Sequence, residues 1–209
     1  FNFFFLDPVH SFTITDPQSV LTMLVLTGVA GVTANLAGRL RTRAQIGVRS
    51  ALENAALASF AQTLARAADL DTTATATCEE VSRLLDVRSV VMIEQDGLLR
   101  PLVARPSEAQ ISPIDQAAAE WAWSSDEPAG RGTNTLLAAD WQFHPLKTGL
   151  GVLAVLGIAR DDDRDPISAD KAALLATLVG QAALAHERLR LEDEMRGLSV
   201  LEERDRLRA

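Results

Sequence analysis

Ser89-Val-Val-Met-Ile-Glu-Gln95 and Leu98-Leu-Arg-Pro-Leu-Val-Ala104, joined by Asp96-Gly97, decide the fold class of this chain. Both runs are rich in β-branched and apolar residues. Between them, an Asp-Gly pair supplies two residues that tolerate φ > 0, as a two-residue hairpin turn requires. The stretch predicts an antiparallel hairpin, and Pro101, which cannot donate to a ladder, marks the second strand as an edge or irregular. C-terminal to it, Ser112-Pro113 opens a helix through Ala117-Ala-Ala-Glu-Trp-Ala-Trp123, because Pro suits the first helical position. Glu127 to Thr133 reads as a loop. Trp141 to Leu146 and Leu150 to Ile158 read as two more strands joined by Lys147-Thr-Gly149, and Asp161 to Pro166 as a polar turn. Ser168 reads as the cap of a long helix through Leu174, Leu175, Leu178, Leu184 and beyond. N-terminal to the hairpin, Asp71-Thr-Thr offers cap chemistry for a helix over 72–86, with Cys78, Val81, Leu84 and Leu85 on its apolar face. Residues 44–68 form another helix, with Leu52, Leu57, Phe60 and Leu64 at helical spacing. The order is helix, helix, hairpin, helix, hairpin, helix. That order predicts an α+β domain whose antiparallel sheet packs on the terminal helices.

The 209 residues carry 20 Lys+Arg against 28 Asp+Glu, a net charge of -8. Mean hydropathy is +0.08 and the isoelectric point is about 4.9. These averages conceal a division near residue 43. Residues 17–38 carry no charge, and a run of that length spans the hydrocarbon core of a bilayer as a helix. Arg39, Arg41 and Arg43 follow at once and place the C-terminal side in the cytoplasm by the positive-inside rule. Residues 1–43 hold three Arg and two Asp, net +1, which leaves 17 basic and 26 acidic residues, net -9, for 44–209. An acidic body with no basic groove argues against nucleic acid as a direct partner. Phe1, Phe3, Phe4 and Phe5 read as the tail of a preceding span, and a start at Phe1 rather than Met as a start inside a longer protein. Residues 1–43 are therefore expected to end a membrane domain, 44–186 to form the α+β body, and 187–209 to form a linker helix.

That last segment is dense in charge. Leu184, Leu191 and Leu198 stand seven apart, and Met195 follows Leu191 by four. The spacing predicts a short coiled-coil seam, and hence a parallel homodimer.

Candidate chemistry is sparse. His10, His144 and His186 lie in different elements and show no convergence on a metal or catalytic site. Cys78, on an apolar helix face, reads as a small core residue. One Cys excludes an intramolecular disulfide and any multi-Cys metal site. Asp161 to Asp165 lacks the spacing of a calcium loop and reads as a solvated turn. Gly130-Arg131-Gly132-Thr133 falls short of a phosphate-loop pattern and reads either as a structural turn or, through Arg131 and Thr133, as an anion contact. Trp121 and Trp123, two apart on a helix, point to different sides; one is expected in the core and the other at a pocket or interface. No catalytic set and no cofactor site emerge for this segment.

Two helices ahead of the first strand favour a GAF-like over a PAS-like sensor fold, an analogy of fold alone. More specific resemblances lie in Phe1-Asn-Phe-Phe-Phe, Phe12-Thr-Ile-Thr-Asp-Pro17 and Asn35-Leu-Ala-Gly-Arg-Leu-Arg41. These resemble the end of the four-helix membrane sensor of KdpD-type potassium-responsive (osmosensitive) histidine kinases. Ala119-Glu-Trp-Ala-Trp123, Ala129-Gly-Arg-Gly-Thr-Asn-Thr-Leu136 and Leu150-Gly-Val-Leu-Ala-Val155 are similar to the GAF-like domain that follows it. Glu203-Arg-Asp-Arg-Leu-Arg208 resembles the lead-in to the phosphoacceptor helix. The resemblance implies a membrane-anchored coupling segment in the bacterial inner membrane, with residues 44–209 cytoplasmic. It implies a parent that autophosphorylates on His with ATP and Mg in a kinase domain outside this segment, then passes phosphate to a response regulator controlling potassium uptake. The alternative is a small-molecule-binding GAF module whose own ligand sets the output.

Overall fold

The computed structural model describes residues 26–30, 33, 50–162 and 164–206, with side chains to residue 196. The chain divides into two compact units, Phe1–Ala55 and Ala56–Ala209. In the first, residues 26–30 are helical, and Leu26 and Val29 are exposed. Most of the uncharged run at 17–38, and Arg39, Arg41 and Arg43 with it, lies outside the described residues. Among the described residues no helix is long and apolar enough to cross a membrane.

The second unit is built on one antiparallel sheet. Its elements are residues 56–66 of the helix α1 (50–66), α2 (Leu70–Leu85), β1 (Arg88–Gln95), β2 (Leu98–Arg105), α3 (Pro113–Ser125), β3 (Ala129–Gly130), β4 (Gln142–Thr148), β5 (Gly151–Ala159) and α4 (Ala172–Arg206). The strand order is β2-β1-β5-β4-β3. Both expected hairpins form, as β1–β2 and β4–β5, and β1 pairs with β5 to join them. At the first turn Asp96 (φ 55°) and Gly97 (φ 80°) both take positive φ, the conformation that matches the twist of the flanking strands. β2 is an edge strand, and its register shifts opposite Val91/Met92, beside Pro101.

Alternation along the strands divides the core in two. Val91, Leu156, Ile158 and Leu146 face α1, α2 and α4, where they meet Phe60, Leu64, Val81, Leu85 and Leu178. Val90, Met92, Phe143 and Val155 face the other way, toward α3. Gly157 belongs to this second face, where a Cβ would lie 2.7 Å from both the Phe143 ring and Val90. The absent side chain leaves the room that the Phe143 ring and Val90 fill.

Three boundaries differ from the sequence-based expectation. The N-cap of α2 is Asp69, not Asp71, because the Asp69 carboxylate accepts from the Thr72 N–H at 2.7 Å and from the Thr72 hydroxyl at 2.8 Å. Those bonds hold the Asp69 carboxyl below its ordinary pKa. Ser168 does not cap α4: its hydroxyl lies 2.5 Å from Asp170 Oδ1, and the helix begins at Ala172. The stretch read as a loop from Glu127 contains β3, a two-residue strand on β4.

Candidate functional site

α3 lies on the sheet through alanine. Ala118, Ala119 and Ala122 are fully buried against the face formed by Val90, Met92, Phe143 and Val155. Side chains this small bring the helix backbone close to the strands. Trp141 and Phe143 complete the layer, with ring centroids 6.4 Å apart and planes inclined at 26°. The Trp141 indole N–H donates to the Gln110 carbonyl at 3.3 Å. On its other side the Arg88 guanidinium stands 5.2 Å from the ring centroid, a cation–π distance, and Arg88 Nε lies 3.0 Å from Asp161 Oδ1. The space between sheet and α3 is thus occupied by side chains.

Trp121 and Trp123 are both partly buried against this cluster. The tryptophan at its centre is Trp141, 1% exposed. Neither Trp121 nor Trp123 is fully buried, and Trp123 also lines a cleft beside α4.

The segment from β3 to β4 carries Arg131 and Thr133. Gly130 N–H donates to Thr135 O at 2.8 Å and Arg131 N–H to Trp141 O at 3.0 Å. The Thr133 hydroxyl lies 2.8 Å from Gly130 O and 2.9 Å from Thr135 O, and it accepts from the Thr135 N–H at 3.2 Å. Arg131 Nη2 lies 2.7 Å from Asp140 Oδ1, and its Nε donates to Ala139 O at 3.4 Å. These hydrogen bonds of Arg131 and Thr133 lie within the loop.

Asp115 ties this loop to α3. It is 1% exposed. Its Oδ2 accepts from Ser112 N–H at 3.0 Å and from the Ser112 hydroxyl at 2.6 Å, while its Oδ1 accepts from the N–H groups of Asp140 at 2.8 Å and Trp141 at 3.1 Å. Ser112 completes a capping box by accepting from Asp115 N–H at 3.2 Å. Ser112-Pro-Ile-Asp115 displays the local half of that arrangement in the sequence; the link to residues 140 and 141 is not a local signal.

Two histidines on different elements turn inward, His186 buried and His144 half-buried. His144 on β4 and His186 on α4 each leave Nε2 buried without a partner. His10 lies outside the described residues, and among the described residues no group of His, Cys, Asp or Glu could hold a metal ion. Burial pushes the Cys78 thiol up to about 11, as befits a core residue rather than a reactive thiol.

Burial pushes the His144 imidazole down from 6.5 to about 4. The folded chain therefore resists a proton that the unfolded chain accepts. Stability from this group is fully present above pH 6.5 and is lost as pH falls toward about 4. The expected loss across that window is on the order of 2 kcal/mol. Urea denaturation of the wild type and of His144→Gln at about pH 7 and about pH 4.5 checks this. The variant is expected to lose less stability between the two than the wild type does.

α4 is continuous for 35 residues, a rod of roughly 50 Å at 1.5 Å per residue. Two cations, Arg188 on α4 and Lys171 just before it, tie it to the C-terminal ends of α1 and α2, where the helix dipole carries partial negative charge. Arg188 Nη2 donates to Ala67 O at 2.6 Å and to Leu64 O at 3.2 Å, and Lys171 Nζ donates to Leu85 O at 3.0 Å. Leu184 (63%), Leu191 (41%) and Met195 (62%) remain exposed. The Leu198 side chain lies outside those described.

A GAF domain model matches residues 69–188, and a model described as a domain of unknown function (DUF4118) matches residues 1–50. Sensor protein KdpD of Escherichia coli is 27% identical over 209 residues, which is all of this chain and 23% of that protein. Sensor protein KdpD of Clostridium acetobutylicum is also 27% identical, over all of this chain and 24% of its own length. The chain thus spans about a quarter of the length of the curated relatives it matches. The crystal structure of the native GAF domain of potassium sensor histidine kinase KdpD from Escherichia coli matches with a TM-score of 0.59 at 27% identity, covering 67% of this chain and 96% of that one. A GAF domain from an Acinetobacter phosphoenolpyruvate-protein phosphotransferase, 12% identical, shares the fold with a TM-score of 0.50 over 68% of this chain and 98% of its own. Through residues 69–188, more than half its length, the chain belongs to the GAF domain family, and from end to end it is similar to the KdpD sensor proteins.

Proposed function

We propose that this chain is the membrane-anchored coupling segment of a KdpD-like sensor histidine kinase. In this reading residues 17–38 span the bacterial inner membrane, with Arg39, Arg41 and Arg43 at its inner edge, and residues 44–209 are cytoplasmic. The observation that carries the coupling role is the form of α4. It is one uninterrupted helix whose N-terminal half is packed into the GAF core and whose exposed Leu184, Leu191 and Met195 share one stripe. Two such stripes paired in parallel, with Leu198 continuing the seam, make a homodimer that carries displacement toward a kinase domain. That kinase domain would use ATP and Mg and pass phosphate to a response regulator, under control of potassium or osmotic state. Similarity to KdpD over the whole chain supports the assignment. The side chains that fill the face under α3 support coupling by packing over control by a ligand held there.

The test is the assembly state. Sedimentation of the full chain in detergent micelles is expected to give a dimer, and Leu184→Glu/Leu191→Glu a monomer with an unchanged circular dichroism spectrum. A wild type that sediments as a monomer at all concentrations would contradict the reading.

A further inference from the structure

A second region meets the requirements of a binding site and lies apart from the α3 face. His186 is 1% exposed on α4, and its Nδ1 stands 2.8 Å from the Ala182 carbonyl. A carbonyl only accepts, so Nδ1 carries the ring proton and Nε2 is left as a lone pair. That lone pair meets no donor. The ring stands in the wall of a cleft of about 820 Å³ between α4, the first turn of α2 and the ends of β1, β2 and β5. Protonation of His186 itself is opposed by burial, which holds its pKa below the ordinary value.

The rest of the lining narrows what would satisfy the lone pair. Five carboxylates, from Asp69, Asp71, Glu94, Asp193 and Glu194, line the cleft against two guanidiniums, those of Arg190 and Arg196. Four of the five are engaged: Asp69 caps α2, Glu94 accepts from Gly97 N–H at 2.7 Å, Glu194 lies 3.3 Å from Arg190, and Asp193 lies 3.9 Å from Arg196. The remaining walls are aliphatic, from Ile93, Leu102, Leu153 and Leu189, with Trp123 as an aromatic face. A lone-pair acceptor, surplus negative charge, an aromatic ring and aliphatic walls together complement a positive group with several N–H donors on a methylene stem. A metal cation would use the carboxylates and leave the aliphatic walls unexplained; a neutral alcohol would leave the charge unanswered.

We propose that this cleft binds an aliphatic diamine, one primary ammonium donating to His186 Nε2, the methylenes lying on the leucines, and the second ammonium meeting the Asp71 carboxylate at the mouth.

The test titrates the full chain in neutral detergent micelles with 1,4-diaminobutane. Calorimetry gives affinity, and the His186 imidazole nitrogen shifts give the site. Saturable binding that moves the Nε2 resonance is expected, with 1,4-butanediol and potassium chloride giving neither. Asp71→Asn, at an exposed helix position, is expected to weaken binding about tenfold. His186→Leu is expected to abolish it. Should His186→Leu fail to fold, Asp71→Asn and the nitrogen shift still decide the matter. Absence of saturable binding at millimolar diamine, equal binding of the diol, or an unmoved Nε2 resonance overturns the proposal.

Discussion

Alanine at Gly130 is expected to detach the β3–β4 segment and destabilise the domain by about 3 kcal/mol or more. Gly130 has φ +101°, a conformation that side-chain-bearing residues rarely adopt, and an added Cβ would lie 2.0 Å from the Trp141 carbonyl oxygen. That oxygen is fixed, because it accepts from Arg131 N–H at 3.0 Å within the β3–β4 pairing. Relief requires breaking this ladder, which also frees Trp141 from the layer beneath α3. Urea denaturation followed by tryptophan emission measures the loss. Gly149→Ala is the matched control: nothing lies within 4 Å of the added carbon, and its midpoint is expected to stay close to that of the wild type.

Asp115→Ala is expected to cost about 3 kcal/mol through a different route. Alanine leaves the N–H groups of Asp140 and Trp141 without an acceptor, and it removes half of the Ser112 capping box. Each orphaned buried donor costs roughly 1–3 kcal/mol, and a lost cap about 1 kcal/mol. Asp115→Asn keeps one acceptor oxygen and is expected to lose about half as much. Amide hydrogen exchange locates the effect: protection is expected to fall at Asp140 and Trp141, while the N–H groups of β1 lose protection only through global unfolding. Uniform loss of protection in Asp115→Asn would show that the carboxylate is not the anchor of this loop.

Both sites show where sequence reading succeeds and where it stops. Local chemistry was legible. Asp96-Gly97 announces a turn needing two positive φ values, Ser112-Pro113 announces a helix start, and Pro101 announces an edge strand. Each depends on residues within a few positions of one another. The pairing of β1 with β5 was not legible, since strands more than 60 residues apart leave no local trace of their register. Nor was the role of Trp141, which depends on Arg88, Gln110 and Phe143 converging from three elements. The choice between Asp69 and Asp71 as cap turned on which carboxylate reaches Thr72 N–H, a matter of chain entry angle rather than residue type. Of the candidate site residues, Arg131 and Thr133 were recognisable as members of a glycine-flanked turn, while their carbonyl and Asp140 partners required the folded loop.

In the proposed function the exposed stripe of α4 meets the same stripe of a second copy of the chain. Single cysteines placed in turn along α4 and its continuation, from 184 to 198, allow oxidative cross-linking of the full chain in membrane vesicles. Cys78, buried in the core, does not compete. Disulfide-linked dimers are expected to peak at Leu184, Leu191, Met195 and Leu198 and to fall at the charged positions between them, such as Glu187 and Glu194. A flat profile, or peaks at Glu187 and Glu194, would contradict this pairing.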